Sequence, residues 1–172
     1  MKDLDPVKRK ILHVVNISFV LPYFIGDQFD YFAEKDYTYF VACQPSEHLF
    51  KYAGEKKFKA FGVNIAREIN PLKDIVALYA IYKIIKREGI DIVVGHTPKG
   101  GILSMCAAFL AGIKHRIYFR HGVMFETSKG FKRKLLKFIE SCSGKLAAKV
   151  VCVSPSVINF SVENKLNAIN KD

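Results

Sequence analysis

Short apolar runs alternate with longer amphipathic stretches along most of this chain. The runs Ile11–Val15, Tyr37–Cys43, Phe58–Phe61, Ile92–Val94, Ile117–Phe119 and Val150–Val153 are brief and rich in β-branched or aromatic residues, which predicts buried strands. The stretches between them keep helical spacing. Pro22–Lys35 carries Phe24, Phe29, Phe32 and Ala33 on one side, and Ser46 suits the N-cap of a helix over Glu47–Ala53. Asn70-Pro71 opens a helix over Leu72–Glu88, with Ile75, Leu78, Tyr79, Tyr82 and Ile85 in phase, and Gly89 ends it. Further helices are predicted over Ile102–Ala111, stopped by Gly112, and over Lys132–Ala148. Phe131, Leu135, Phe138, Cys142 and Leu146 would form the inner face of the second. Ser154-Pro155 opens a last short helix. A strand–helix rhythm of this kind argues for the α/β class, with a parallel sheet covered on both faces.

Composition narrows the picture only in places. A chain of 172 residues suits one domain, and with half of them hydrophobic it can bury a substantial core. No internal repeat or low-complexity segment interrupts it. The polar tail from Asn164 to Asp172 lacks a core pattern and reads as a linker or a truncated end. The net charge of +11 favours anionic partners. The excess is uneven: Lys129, Lys132, Arg133, Lys134, Lys137, Lys145 and Lys149 face a single acid, Glu140, in that stretch. Cys43, Cys106, Cys142 and Cys152 form no C-x-x-C pair, which points to a reducing compartment without disulfides. Lys8-Arg9-Lys10 before Ile11–Ile25 imitates a signal sequence. His13, Asn16, Ser18 and Pro22 interrupt that run, so a first strand and an apolar loop fit better. No segment has the length of a spanning helix.

Parallel strands joined by crossovers end on one edge of the sheet, where open α/β folds place ligands. The polar groups due at that edge are Asn16 and Ser18, Gln44, His96-Thr97, Arg120-His121 and Ser154. In His96-Thr97-Pro98-Lys99-Gly100-Gly101, Thr97 can cap the next helix and the glycines can let another molecule approach the backbone. A tight turn whose glycines serve packing explains the same residues equally well. Lys99 precedes the glycines, so this is not a phosphate-binding P-loop, and no G-x-G-x-x-G occurs. His121, beside Gly122, can donate a hydrogen bond or act as acid or base; the plainer reading is a structural histidine. His13, His48 and His115 stand isolated, so no metal site is expected. Asp27 and Glu126 are the nearest carboxylates, too sparse for a paired-carboxylate hydrolase. Ser154 lacks a G-x-S-x-G context and caps a helix more readily than it attacks. The basic helix can lie on an anionic membrane surface, acting through charge because its apolar side would already be buried.

These motifs in this order resemble the N-terminal half of a family 4, GT-B fold bacterial glycosyltransferase of the capsule and O-antigen type. The likeness rests on Ile11-Leu12-His13-Val14-Val15, Gly95–Gly101, Ala111-Gly112, Arg116-Ile117-Tyr118, His121-Gly122, Ile139-Glu140, Ala147–Val151 and Val153–Ser156. It covers about residues 10–160. The resemblance implies a Rossmann-like domain and a retaining, metal-independent, cofactor-free transfer of sugar from a nucleotide-sugar to a glycan or polyprenyl-diphosphate-linked acceptor. It implies His121 near the transferred sugar as the catalytic residue. Acceptor or substrate contacts would come from Asn16, Ser18, His96, Thr97, Lys99, Gly100, Gly101, Arg120, Gly122, Glu126 and Ser154. The loop Asn16–Pro22 lacks the glycine pair many members carry, which opens an apolar acceptor contact there. The basic phosphate-binding pair and E-x7-E motif that the family's second domain carries are not found after residue 160. Residues 1–160 are therefore expected to be an acceptor-side domain and 161–172 a linker or the start of a donor-binding domain. Alone, the chain should not transfer sugar. The enzyme would be cytoplasmic, at the inner face of the plasma membrane.

A non-catalytic α/β domain that binds a phosphorylated small molecule is the alternative reading. Nucleic-acid binding rests on charge alone, because the basic residues lack interleaved aromatics, and it is not expected.

Overall fold

The computed structural model describes residues 8–33, 35–66, 68, 70–123, 125 and 127–166, with side chains 32 and 33 excepted. Six strands form one parallel sheet: β1 (Arg9–Val14), β2 (Tyr37–Cys43), β3 (Lys59–Gly62), β4 (Ile92–His96), β5 (His115–Arg120) and β6 (Lys149–Cys152). Their order across the sheet is β3-β2-β1-β4-β5-β6, the doubly wound arrangement that reverses at β1 and opens a crevice at the strands' carboxyl ends. This is the expected Rossmann-like half of a GT-B fold.

Seven helices complete the described chain: α1 (Leu21–Phe24), α2 (Gly26–Ala33), α3 (Glu47–Lys56), α4 (Pro71–Glu88), α5 (Pro98–Leu110), α6 (Gly130–Leu146) and α7 (Pro155–Glu163). Caps explain where several begin. Ser46, Asn70 and Ser154 each accept a hydrogen bond from a first-turn N–H, at 3.1, 3.1 and 3.3 Å, orphan donors that would otherwise need water. Gly89 closes α4 with φ of 63°, where a side chain would strain the backbone.

Two apolar layers flank the sheet. Leu12, Val14, Phe40 and Val93 face α4 and α5, while Ile11, Val15, Tyr39, Val41 and Val94 face the side of Leu21, Phe29 and Leu49. Each fully buried Leu, Ile or Phe contributes roughly 1.5–3 kcal/mol. Alternation along the strands decides which layer each residue joins.

Four expectations need correction. In α4 the buried positions are Ala77, Ile81, Ile84 and Ile85. Leu72, Ile75, Val76 and Tyr79 form an exposed stripe instead, one helical turn apart, because small Ala77 is what lets α4 approach. In α6 the buried residues are Leu136, Glu140, Ser143 and Gly144, whereas Phe131 and Phe138 are 80% and 65% exposed. Polar Glu140 goes inward because the interior supplies partners for it, as described below, and Ser143 satisfies its hydroxyl on the Ile139 carbonyl of its own helix at 2.9 Å. Leu166, assigned to a polar tail, is buried with Phe125 and Leu136. The expected helix Pro22–Lys35 is two helices broken at Ile25, and the side chains of Phe32 and Ala33 lie outside the described residues. Cys43 is buried and the four cysteines are free. No helix among the described residues is long and apolar enough to cross a membrane.

Candidate functional site

Three histidines climb one face of the sheet as a diagonal ladder. His13 on β1 stands opposite Val94, two residues before His96 on β4; His96 stands opposite Phe119, two residues before His121 just past β5. Side chains two apart share a face, so the three rings fall on the same side. They touch in sequence. His13 Nδ1 lies 3.0 Å from His96 Nε2, and His96 Nδ1 lies 2.9 Å from His121 Nε2. Aromatic rings wall the ladder. Tyr39 stacks on His13, Phe119 on His96, and Phe24 lies flat on His121 with centroids 3.5 Å apart.

This apolar sleeve sets the charge. Burial drives His13 down to about 3 and His121 down to about 4, and with the neighbouring imidazoles it holds His96 well below the usual range. All three rings are neutral at pH 7. His121 alone reaches a surface. It lines a cleft of about 310 Å³ with Thr97, Pro98, Tyr118, Gly122 and Val123. A neutral imidazole in such a wall offers one hydrogen bond to an oxygen-rich ligand.

Across β1 from this cleft lies a second cavity, of about 360 Å³, lined by Asn16, Ile17, Ser18, Gln44, Ser46, Asn64, Ile65 and Ala66. Among the described residues its lining carries no ionisable side chain. Ser18 and Ser46 share a 2.8 Å hydroxyl–hydroxyl hydrogen bond, and Gln44 Oε1 is buried without a partner among the described residues. Amides, hydroxyls and two isoleucines suit a neutral polyol better than an anion.

The remaining sequence candidates divide. Thr97 caps α5, accepting from Gly100 N–H at 3.3 Å, with φ of 63° and ψ of 155°. A threonine in that region is strained, and such strain clusters at functional sites. Gly100 and Gly101 do not let a foreign molecule approach. A Cβ on Gly100 would stand 3.0 Å from the Val14 carbonyl oxygen, and one on Gly101 would collide with the Tyr118 ring. The glycines let α5 sit against its own sheet. Lys99 is held by Asp74 at 2.8 Å and by the Glu68 carbonyl, which fastens α5 to the approach of α4 rather than presenting a cation. Arg120 turns to the opposite face from His121 and is fully buried. Its Nε donates to Glu140 at 3.0 Å and its Nη1 to Ser161 Oγ at 2.9 Å, while the Tyr118 hydroxyl donates to Glu140 at 3.0 Å. With no exposed surface and these partners in the interior, this guanidinium is structural. Ser154 caps α7 and bonds Ser156 at 2.8 Å. Glu126 lies outside the described residues.

Sequence reasoning missed His13, which stands alone in the chain and meets His96 only because β1 and β4 are neighbours. It read Ser46 only as a helix cap and gave no role to Asn64; both line the cavity beside Asn16 because β2 and β3 follow β1 across the sheet. Among the described residues no group of three or more His, Cys, Asp or Glu could hold a metal ion.

A doubly wound sheet with polar loops gathered at its carboxyl edge defines a Rossmann-like ligand-binding domain. The model of the glycosyl transferase 4-like family matches residues 10–154, and the chain belongs to that family. It is 31% identical over 153 residues to the UDP-Gal:alpha-D-GlcNAc-diphosphoundecaprenol alpha-1,3-galactosyltransferase of Escherichia coli, covering 85% of this chain and 38% of that protein. It is 28% identical over 167 residues to the capsular polysaccharide biosynthesis glycosyltransferase CapM of Staphylococcus aureus, covering 94% of this chain and 43% of that protein. The chain thus spans about two-fifths of the curated relatives it matches. A crystal structure of a glycosyltransferase from Rickettsia africae superposes with a TM-score of 0.73 at 23% identity, over 95% of this chain and 41% of that one.

Proposed function

We propose that the chain through Leu166, which packs with Phe125 and Leu136, forms the acceptor-side domain of a retaining, metal-independent glycosyltransferase, and that the residues after it are a linker or the start of a donor-binding domain that completes it. The enzyme moves a sugar from a nucleotide-sugar to a lipid-linked glycan in surface polysaccharide synthesis. The observation that carries this reading is His121, a neutral imidazole held at the carboxyl edge of the sheet in a domain of the glycosyl transferase 4-like family. The uncharged cavity around Asn16, Ser18 and Gln44 supports it as the place for an acceptor saccharide. The relatives' names point to a UDP-sugar donor and an undecaprenyl-diphosphate acceptor.

The α6 surface supports work at an anionic membrane face. Exposed Phe131 and Phe138 stand among Lys132, Arg133, Lys134 and Lys137, aromatic side chains that reach a headgroup layer and cations that hold it. The apolar contribution exceeds what a fully packed inner face would have allowed.

The test is sugar transfer from radiolabelled UDP-sugars to undecaprenyl-diphosphate-linked GlcNAc by the full-length protein. Wild type transfers, the 172-residue chain alone does not, and His121→Ala lowers turnover about 10²–10³-fold, the range of positioned hydrogen-bonding groups. Wild-type turnover in His121→Ala removes His121 from the reaction, and transfer by the short chain refutes the two-domain requirement.

A further inference from the structure

We propose that His13 and His96 are positioning residues that lock the tautomer of His121, so that the cleft meets an Nδ1–H donor and never a free imidazole base. Its functional meaning rests on the reading that His121 faces substrate; the tautomer itself does not.

Each link of the ladder joins two ring nitrogens, so one carries the hydrogen and the other the lone pair. Three neutral rings have one N–H each, and two patterns satisfy both links. In the first, His13 Nδ1–H donates to His96 Nε2, His96 Nδ1–H donates to His121 Nε2, and His121 keeps its hydrogen on Nδ1. In the second every hydrogen sits on Nε2, the donations run the other way, and His121 Nδ1 is a bare lone pair.

The inner end of the ladder chooses between them. His13 Nε2 is buried and has no hydrogen-bond partner among the described residues, in a ring packed against Phe29 and Tyr39. The second pattern puts an N–H there and the first a lone pair. Buried N–H groups without acceptors are rarer in folded proteins than under-satisfied acceptors. A bare lone pair at this place is therefore favoured over a donor without an acceptor, which biases the equilibrium toward the first pattern. Burial keeps all three rings neutral, so the patterns are not overridden by protonation near pH 7.

The consequence is chemical. Nδ1 of His121 takes no hydrogen bond from the described residues and carries a hydrogen aimed outward at whatever oxygen enters the cleft with Thr97 and Gly122. To accept a proton there, both links must reverse and an N–H must move into the core at His13. His121 therefore binds acceptor oxygens, such as a sugar hydroxyl, a ring oxygen or a phosphate oxygen, and does not deprotonate a nucleophile.

Long-range ¹H–¹⁵N spectra of the histidine-labelled 172-residue chain at pH 7 read each ring's tautomer directly. The expected result is Nδ1–H with unprotonated Nε2 as the major form at His13, His96 and His121. An Nε2–H form at His121 overturns the proposal. His13→Asn places an amide at the position of Nδ1 that can donate or accept, so the excess at His121 should collapse toward parity; an unchanged tautomer also overturns the lock. If that variant does not fold, the wild-type spectrum decides alone. Because the readout needs no substrate, a lock found together with full activity in His121→Ala would discard the catalytic reading and keep this one.

Discussion

Replacing Glu140 by leucine should destabilise the domain more than any single loss of apolar area. Arg120 and Glu140 are 0% and 1% exposed, and their ion pair is 3.0 Å long. Glu140 also accepts from the Tyr118 hydroxyl, so one carboxylate serves two buried donors. Burial nonetheless raises its pKa, with Arg120 opposing the rise, a sign that the pair is held at a desolvation cost. Glu140→Leu strands a guanidinium in the interior, which costs about 3–5 kcal/mol. For a chain of this size each kcal/mol lowers Tm by about 2–4 °C, so the midpoint should fall by roughly 6–20 °C. Arg120→Met should cost a similar amount by stranding the carboxylate. The double variant Arg120→Met/Glu140→Leu should recover most of the loss, leaving about 1–3 kcal/mol for the unpartnered Tyr118 hydroxyl. Thermal melts and urea titrations of the four proteins make a double-mutant cycle. Single losses that simply add in the double variant, or a Glu140→Leu midpoint within 2 °C of wild type, would refute the account of Arg120 as a structural charge.

Three other outcomes are open to measurement. The folded state keeps His13 and His121 neutral down to about 3 and 4, whereas the unfolded chain protonates histidine near 6.5; stability complete above that value is therefore lost as pH falls toward 4. Urea midpoints at pH 7, 6 and 5 should fall in order, and His13→Phe should flatten the slope; equal slopes in the two proteins would count against a buried neutral His13. Gly101→Ala drives a methyl into the Tyr118 ring and should cost about 1–3 kcal/mol by denaturant titration; a neutral result would mean that α5 has slack. Thr97→Gly relieves the positive φ while Thr97→Ala keeps it and loses the cap. The glycine variant should be the more stable by about 1–2 kcal/mol, and the reverse order in thermal melts would show no strain at Thr97.

The elements were legible because local chemistry fixes them. Tyr37–Cys43 is a strand by its run of β-branched and aromatic residues, and Asn70-Pro71 and Gly89 bracket α4 whatever packs on it. What lay hidden depends on strand order and on facing. Nothing local tells Phe138 from Leu136 as the core residue of α6, because the choice follows from Glu140 having Arg120 and Tyr118 to meet. Likewise Arg120 and His121 read as one polar pair, and only the pleat of β5 sends one into the core and the other to the cleft. The sequence pointed to the β4 and β5 ends, where Thr97 and His121 line one cleft, but the histidine contacts running back to His13 needed three-dimensional adjacency.

The exposed stripe of Leu72, Ile75, Val76 and Tyr79 on α4 has a practical side for anyone handling this protein. Copies carrying a net charge of +11 repel one another at low ionic strength, which keeps those apolar faces apart. Salt shortens the reach of that repulsion from about 10 Å at 0.1 M to about 3 Å at 1 M, while sulfate and phosphate strengthen apolar association. Its solubility should therefore decline with added salt, so dilute, chloride-based buffers suit it better than the concentrated ones often used to keep basic proteins in solution.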